Sequence, residues 1–225
     1  MNLHLFSTPG EGDLKNIVDA SRPYLEGRDD ARVAYLPLAS LQNSWSDQAK
    51  RAFHGLARVR TINSETMTLP EMEDILRKAH LVYIPGGNTY LLTHRLHISG
   101  LMTYLRKKVL AGLPLVAFSA GTVLCGPNIL TSNDLNSVGT QHYSGLNLIP
   151  FNLNVHYPQD GIARQLKDDW LSDYHVFNDN PVIILADDAS LCVEGKHTFL
   201  VKGEAYISRS GQEKQALEAG QDILP

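Results

Sequence analysis

Ser119, His156 and Asp187 are the residues of this chain whose types and surroundings point most directly to chemistry. Ser119 ends the apolar run Leu115-Val116-Ala117-Phe118 and is followed by Ala120-Gly121. Small residues after a strand let the chain turn sharply into a helix, lifting the hydroxyl clear of the backbone beside room for a substrate carbonyl. A serine is a weak nucleophile unless a base lies within hydrogen-bond reach and a third group fixes that base. His156 stands at the end of an alternating segment, and Asp187-Asp188 follow the apolar run Val182 to Leu185. Chemistry alone does not separate Asp187 from Asp188. A fourth element is Pro85-Gly86-Gly87-Asn88-Thr89, where glycine lets the backbone approach a ligand closely. The amides of Gly87 and Ala120 are the candidate oxyanion hole. The plain alternatives are a simple strand-to-helix turn at Ser119, a solvated aspartate pair, and a phosphate loop at the glycines. Neither the G-x-G-x-x-G nor the P-loop pattern occurs.

The elements that must position these residues follow from periodicity. Leu3 to Phe6, Arg32 to Leu38, Val59 to Ile62, Leu81 to Ile84 and Leu113 to Phe118 read as strands, with helical patterns between them. Asp13 is a candidate cap for the first helix and Ser44 or Ser46 for the second. This alternation predicts an α/β fold with a mostly parallel sheet and helices on both faces. Sites in such sheets form beyond the carboxyl ends of the strands. Ser119, His156 and Asp187 are accordingly expected along one edge of one parallel sheet.

Downstream, residues 128–147 are rich in Asn, Ser, Thr and Gly and read as a long surface excursion. Phe151, Leu153 and Val155 then alternate with Asn152, Asn154 and His156, predicting one apolar and one polar face. A helix is expected from about Asp160 to Tyr174, burying Ile162, Leu166, Trp170 and Leu171 and leaving Arg164 outside that stripe. The segments Leu191 to Val193, Thr198 to Val201 and Ala205 to Ile207 read as C-terminal antiparallel hairpins.

Composition sets limits. The 225 residues, 43% hydrophobic and 20% charged, are expected to form a single α/β domain, 1–225. A net charge of −4 offers no general field for phosphates, and Arg106-Lys107-Lys108 is too small a cluster to supply one, so no nucleic-acid partner is expected. Two cysteines, Cys125 and Cys192, are too few for a disulfide framework and lack metal-ligand spacing. With no signal-like start and no apolar run of about 18 residues, the expectation is a cytoplasmic protein without a membrane association. The order Ser, His, Asp differs from the Ser, Asp or Glu, His order of α/β-hydrolases and argues against a lipase or esterase.

Taken together, Pro85-Gly86-Gly87-Asn88-Thr89, Phe118-Ser119-Ala120-Gly121, Thr131-Ser132-Asn133-Asp134 and Asn154-Val155-His156-Tyr157 resemble peptidase E, the α-aspartyl dipeptidases of serine peptidase family S51. The likeness spans most of the chain. It implies a fold similar to class I glutamine amidotransferases (flavodoxin-like) and a serine exopeptidase acting on short peptides that begin with aspartate, without metal or cofactor. The family nucleophile falls on Ser119, its histidine on His156, and its acid, a glutamate in the best-known enzymes, on Asp187, with Asp188 as the alternative. Arg164 falls where the family binds the substrate's aspartyl carboxylate, and Arg164 and Asn88 are the candidate substrate-binding residues. The segment Gln159 to Arg164 is shorter than in the best-known enzymes. A non-catalytic or differently specific member of the superfamily is the alternative. The expected partner is a short peptide substrate, and the protein is expected as a monomer or homodimer.

Overall fold

The structure is a computed structural model describing residues 1–10, 14–41 and 44–223. Five strands, β1 (Asn2–Phe6), β2 (Arg32–Tyr35), β3 (Arg58–Thr61), β4 (Leu81–Ile84) and β5 (Leu115–Phe118), pair in parallel. The hairpin β8 (Ser190–Glu194) and β9 (His197–Lys202) adds to β1 antiparallel, giving the order β3-β2-β4-β5-β1-β8-β9. Alternate residues of these strands enter two cores. Leu3, Leu5, Val82, Ile84, Leu115 and Ala117 face one side, packed with Met72 and Leu76 of α3 (Leu69–Lys78), Leu92 and Leu96 of α4 (Thr89–Ile98) and Leu105 of α5 (Leu101–Leu110). Val33, Tyr35, Tyr83, Val116 and Phe118 face the other, against Ile17 and Val18 of α1 (Lys15–Leu25) and Phe53, just beyond α2 (Ser44–Ala52). Burial on both faces explains why the central strands β4 and β5 read as continuous apolar runs, whereas β3, at the sheet edge, alternates exposed arginines with half-buried Val59 and Thr61.

The expected cap Asp13 lies outside the described residues, as does the side chain of Ser44, while Ser46 sits inside α2.

A second sheet carries the rest of the chain. β6 (Asn152–Tyr157) pairs in parallel with β7 (Val182–Ala186) through the crossover helix α7 (Gly161–Phe177), and β10 (Ala205–Ser208) and β11 (Gln215–Ala216) complete the order β11-β10-β7-β6. This corrects the expectation of one sheet. β5 already lies between β4 and β1, and β1 between β5 and β8, so no edge beside Ser119 is open to β6. The second sheet instead lays Leu153, Val155, Ile183, Leu185 and Ile207 onto the core that contains Leu3, Leu5 and Leu115. Of the C-terminal hairpins, β8–β9 is present, but β10 pairs with β7 rather than with β9.

Two further expectations change. The segment 128–147 is only partly superficial, since Ile129, Thr131, Thr140 and Leu146 are buried. Its asparagines do the work of a strand ladder: Asn128 Oδ1 accepts from Leu130 N and Asn152 Nδ2, and Asn136 binds Thr140 through both side-chain atoms. In α7 the stripe Ile162, Leu166 and Trp170 points outward, with Ile162 78% exposed, while Lys167, Leu171 and Tyr174 are buried. The inward face, spaced at i, i+3, i+7 and i+10 from Arg164, is chosen by polar partners on β6 and β10: Tyr174 OH accepts from Asn152 Nδ2 at 2.6 Å and Arg164 meets Tyr206. Asn152 and Asn154 are correspondingly buried rather than solvated.

Candidate active site

Ser119 caps the four-residue helix α6 (Ala120–Val123) with φ 51° and ψ −117°, a conformation strained for a residue with a side chain. The turn is enforced by tight neighbours. Ser119 N donates to Phe6 O at 3.0 Å, and Thr122 Oγ1 donates to the same carbonyl at 2.8 Å. Two glycines make room: a Cβ at Gly121 would stand 2.4 Å from Ile84 O, and one at Gly86 would stand 2.9 Å from Ser119 Cβ. Gly86-Gly87 therefore lies against the serine. Gly87, at φ 133°, presses on Ala39, whose carbonyl oxygen would be 2.4 Å from an added Cβ. The Ala120 amide, at the first position of α6, has no intrahelical acceptor. Both amides expected at an oxyanion hole thus belong to segments held beside Ser119.

His156 is also backbone-strained, at φ 58°. The β6–β7 register skips from Asn154 to Tyr157, so His156 stands in a bulge. Its effect is to break the alternation of β6. Tyr157 falls on the face of Asn152 and Asn154, packed with Tyr174 and Ile184, and the imidazole turns toward Ser119. Ser119 Oγ lies 2.9 Å from His156 Nε2, and His156 Nδ1 lies 2.7 Å from Asp187 Oδ1. A carboxylate only accepts, so Nδ1 carries the proton and Nε2 is left to accept from the serine hydroxyl. Asp187 follows β7 directly, whereas Asp188 Oδ1 faces the Glu204 amide at 3.4 Å. Geometry thus separates the two aspartates that chemistry could not. The three groups do converge, though across two sheets rather than along the edge of one.

The two candidate substrate-binding side chains are already engaged. Asn88 caps α4, its Oδ1 accepting from Leu91 N and its Nδ2 donating to Leu135 O, both at 2.9 Å. Arg164 lies between the rings of Tyr157 and Tyr206, 4.7 and 5.2 Å from their centroids. It donates to Glu204 Oε1 at 3.1 Å and to Tyr206 OH at 2.8 Å. The hydrogen bond to Tyr206, with that to Glu204, pushes its pKa up, against the effect of burial. The Tyr206 hydroxyl, then Arg164, hold the Glu204 carboxyl below the usual range.

Periodicity did not reveal Asp134, Asn133 and Lys167. Asp134 Oδ2 accepts from the Thr89 amide and hydroxyl at 2.7 and 2.6 Å and from Ser132, pinning the excursion to the start of α4. Asn133 Nδ2 donates to Val155 O, next to His156, while its Oδ1 takes hydrogen bonds from Asn154 and from buried Lys167. Burial lowers the Lys167 pKa, opposed by Asp134. The run Thr131-Ser132-Asn133-Asp134 was the available signal. Among the described residues no group of three or more His, Cys, Asp or Glu side chains is placed to hold a metal ion, and no helix is long and apolar enough to cross a membrane.

A serine on a strained strand-to-helix turn, bonded to an imidazole that is bonded in turn to a carboxylate, is the arrangement of a nucleophilic acyl-transfer hydrolase. The comparisons define its kind. Residues 4–201 match peptidase family S51, and the chain belongs to that family. It is 30% identical over 233 residues to Peptidase E of Streptomyces coelicolor, covering 99% of this chain and 93% of that one. It is 34% identical over 139 residues to the "Probable alpha-aspartyl dipeptidase" of Drosophila melanogaster, covering 60% and 58%. In fold it resembles a peptidase from an acI-B1 Actinobacterium, with a TM-score of 0.75 at 18% identity over 99% of this chain and 96% of the other.

Proposed function

We propose that this S51 peptidase is a serine exopeptidase that hydrolyses dipeptides beginning with aspartate through an acyl-enzyme on Ser119. The observation that carries this reading is the hydrogen-bonded chain from Ser119 Oγ through His156 to Asp187. His156 Nε2 takes the serine proton as Oγ attacks the scissile carbonyl, and the resulting imidazolium is held by Asp187. The amides of Gly87 and Ala120 receive the oxyanion. The imidazolium then protonates the leaving amine, and water, deprotonated by the same imidazole, releases the acyl group. The aspartyl preference is supported by family membership and by the names of the relatives. A short peptide as substrate, a cytoplasmic location and a monomer or homodimer without nucleic-acid or membrane partners belong to the same reading; the two buried free cysteines fit a reducing compartment.

One observation favours a second reading. The Arg164 guanidinium is already paired with Glu204, so a peptidase of this family with a different first-residue preference is consistent with the same triad. A panel of Xaa-Leu dipeptides, varying only the first residue, decides between them. The lead reading expects Asp-Leu to be cleaved best, with a loss of at least about 10³-fold on Ser119→Ala. Faster cleavage of an uncharged first residue establishes the second reading, and full activity of Ser119→Ala overturns both.

A further inference from the structure

Three consecutive residues at the carboxyl end of β1 each hold the backbone of a different member of the triad. Phe6 O accepts from Ser119 N at 3.0 Å. Ser7 Oγ accepts from His156 N at 2.9 Å. Thr8 Oγ1 donates to Asp187 O at 2.8 Å. We propose that Phe6-Ser7-Thr8 is the positioning element of the site, with the Ser7 and Thr8 hydroxyls acting as positioning residues that register the His156–Asp187 pair against the serine.

The need for such an element follows from the fold. Ser119 belongs to the main sheet, whereas His156 and Asp187 belong to the second, so no strand ladder fixes one against the others. β1 ends where the two sheets meet. His156 stands in the bulge where the β6–β7 pairing skips, so its amide has left the ladder. An amide that has left its ladder needs another acceptor, and the left-handed turn at His156 persists only if the surroundings hold it. Ser7, wholly buried, supplies the acceptor. Its own hydroxyl proton points to Leu185 O at 3.4 Å, and its amide donates to Ala189 O at 3.0 Å, so Ser7 spans the end of β7 and the start of β8. Thr8 then ties the carbonyl of Asp187, which would otherwise project from an exposed turn: the Asp187 side chain is 71% exposed. Neither hydroxyl touches the reacting atoms. Their action is on the separation of Oγ, Nε2 and Oδ1, and misplacement of about 1 Å can cost about 10²-fold in rate.

This inference rests on the acyl-transfer reading above, and the test separates the two. Turnover of the preferred dipeptide is measured for wild type, Ser119→Ala, Ser7→Ala, Thr8→Val and Thr8→Ser, with thermal melts of each. Positioning predicts a fall in kcat of about 10- to 100-fold for Ser7→Ala and about tenfold for Thr8→Val, with KM little changed. It further predicts recovery in Thr8→Ser, which restores the hydroxyl, and no additional loss when Ser7→Ala is placed in the Ser119→Ala background. Should Ser7→Ala fail to fold, the Thr8 pair decides alone. Thr8→Val with wild-type kcat, or Thr8→Ser as impaired as Thr8→Val, overturns the inference while Ser119-dependent turnover stands. Undiminished turnover in Ser119→Ala overturns the acyl-transfer reading and the inference with it.

Discussion

Gly121→Ala is the smallest change that should disable the nucleophile without touching it. Gly121 is the second residue of α6, two beyond Ser119, and an added Cβ would stand 2.4 Å from Ile84 O and 2.9 Å from Ile84 Cγ2. A carbon–oxygen contact settles at about 3.3–3.6 Å, so the shortfall is about 1 Å. No flexible side chain can absorb it, because the nearer atom is backbone of β4 and Ile84 is completely buried. Either β4 or α6 must move. Overpacking of this kind costs about 1–3 kcal/mol. Because α6 carries the serine at its cap, a displacement approaching 1 Å should also lower kcat by about 10²-fold. Urea unfolding followed by fluorescence gives the first quantity, and steady-state dipeptide hydrolysis under conditions where the variant is folded gives the second. Gly27→Ala is the control. With φ 77° and nothing within 4 Å of its added Cβ, it should lose about 1–2 kcal/mol to backbone strain and keep its turnover. A Gly121→Ala protein with wild-type urea midpoint and wild-type kcat would refute the claim that close approach of β4 and α6 shapes the serine turn.

Two further predictions concern the carboxylates. Asp187→Asn should lower kcat about 10²- to 10⁴-fold through loss of the charge that stabilises the imidazolium, whereas Asp188→Asn, whose side chain accepts from the Glu204 amide rather than from His156, should stay within about twofold of wild type; equal effects in a kinetic comparison would contradict the assignment. The Glu204 carboxyl is held below its unfolded value of about 4.3 by Tyr206 and then Arg164, so it contributes stability above that value that is lost as pH falls through its folded value. The urea midpoint of wild type should therefore drop more steeply below about pH 5 than that of Glu204→Gln, and parallel acid slopes would count against the pairing.

The legible and illegible parts of the chain divide on physical grounds. Strands β4 and β5 are legible because burial on both faces makes them runs of apolar residues, and β1 to β3 because shorter apolar or alternating segments stand between helical patterns. Ser119 was legible because small residues follow an apolar strand, and His156 and Asp187 because both stand at strand ends. The second sheet was not, because β6, α7 and β7 form a parallel crossover whose local pattern is the same whichever sheet it joins; only the occupied edges of β5 and β1 exclude the first. The outward stripe of α7 misled for a related reason. Ile162, Leu166 and Trp170 have helical spacing, yet Arg164, Lys167 and Tyr174 find specific partners on the opposite face in Tyr206, Asn133 and Asn152, residues distant in sequence. The same distance hid Ser7, whose contact with His156 spans 149 positions.

The central claim is that Ser119 is an activated nucleophile held by His156. Its most direct test is intact and peptide mass spectrometry after brief exposure of the native protein to a fluorophosphonate. The geometry predicts a single stoichiometric adduct on Ser119, formed at least about 10³-fold more slowly after His156→Ala, the scale on which a triad acts as a unit. An unlabelled Ser119 at high probe concentration, or an adduct that forms equally fast without the imidazole, would contradict it.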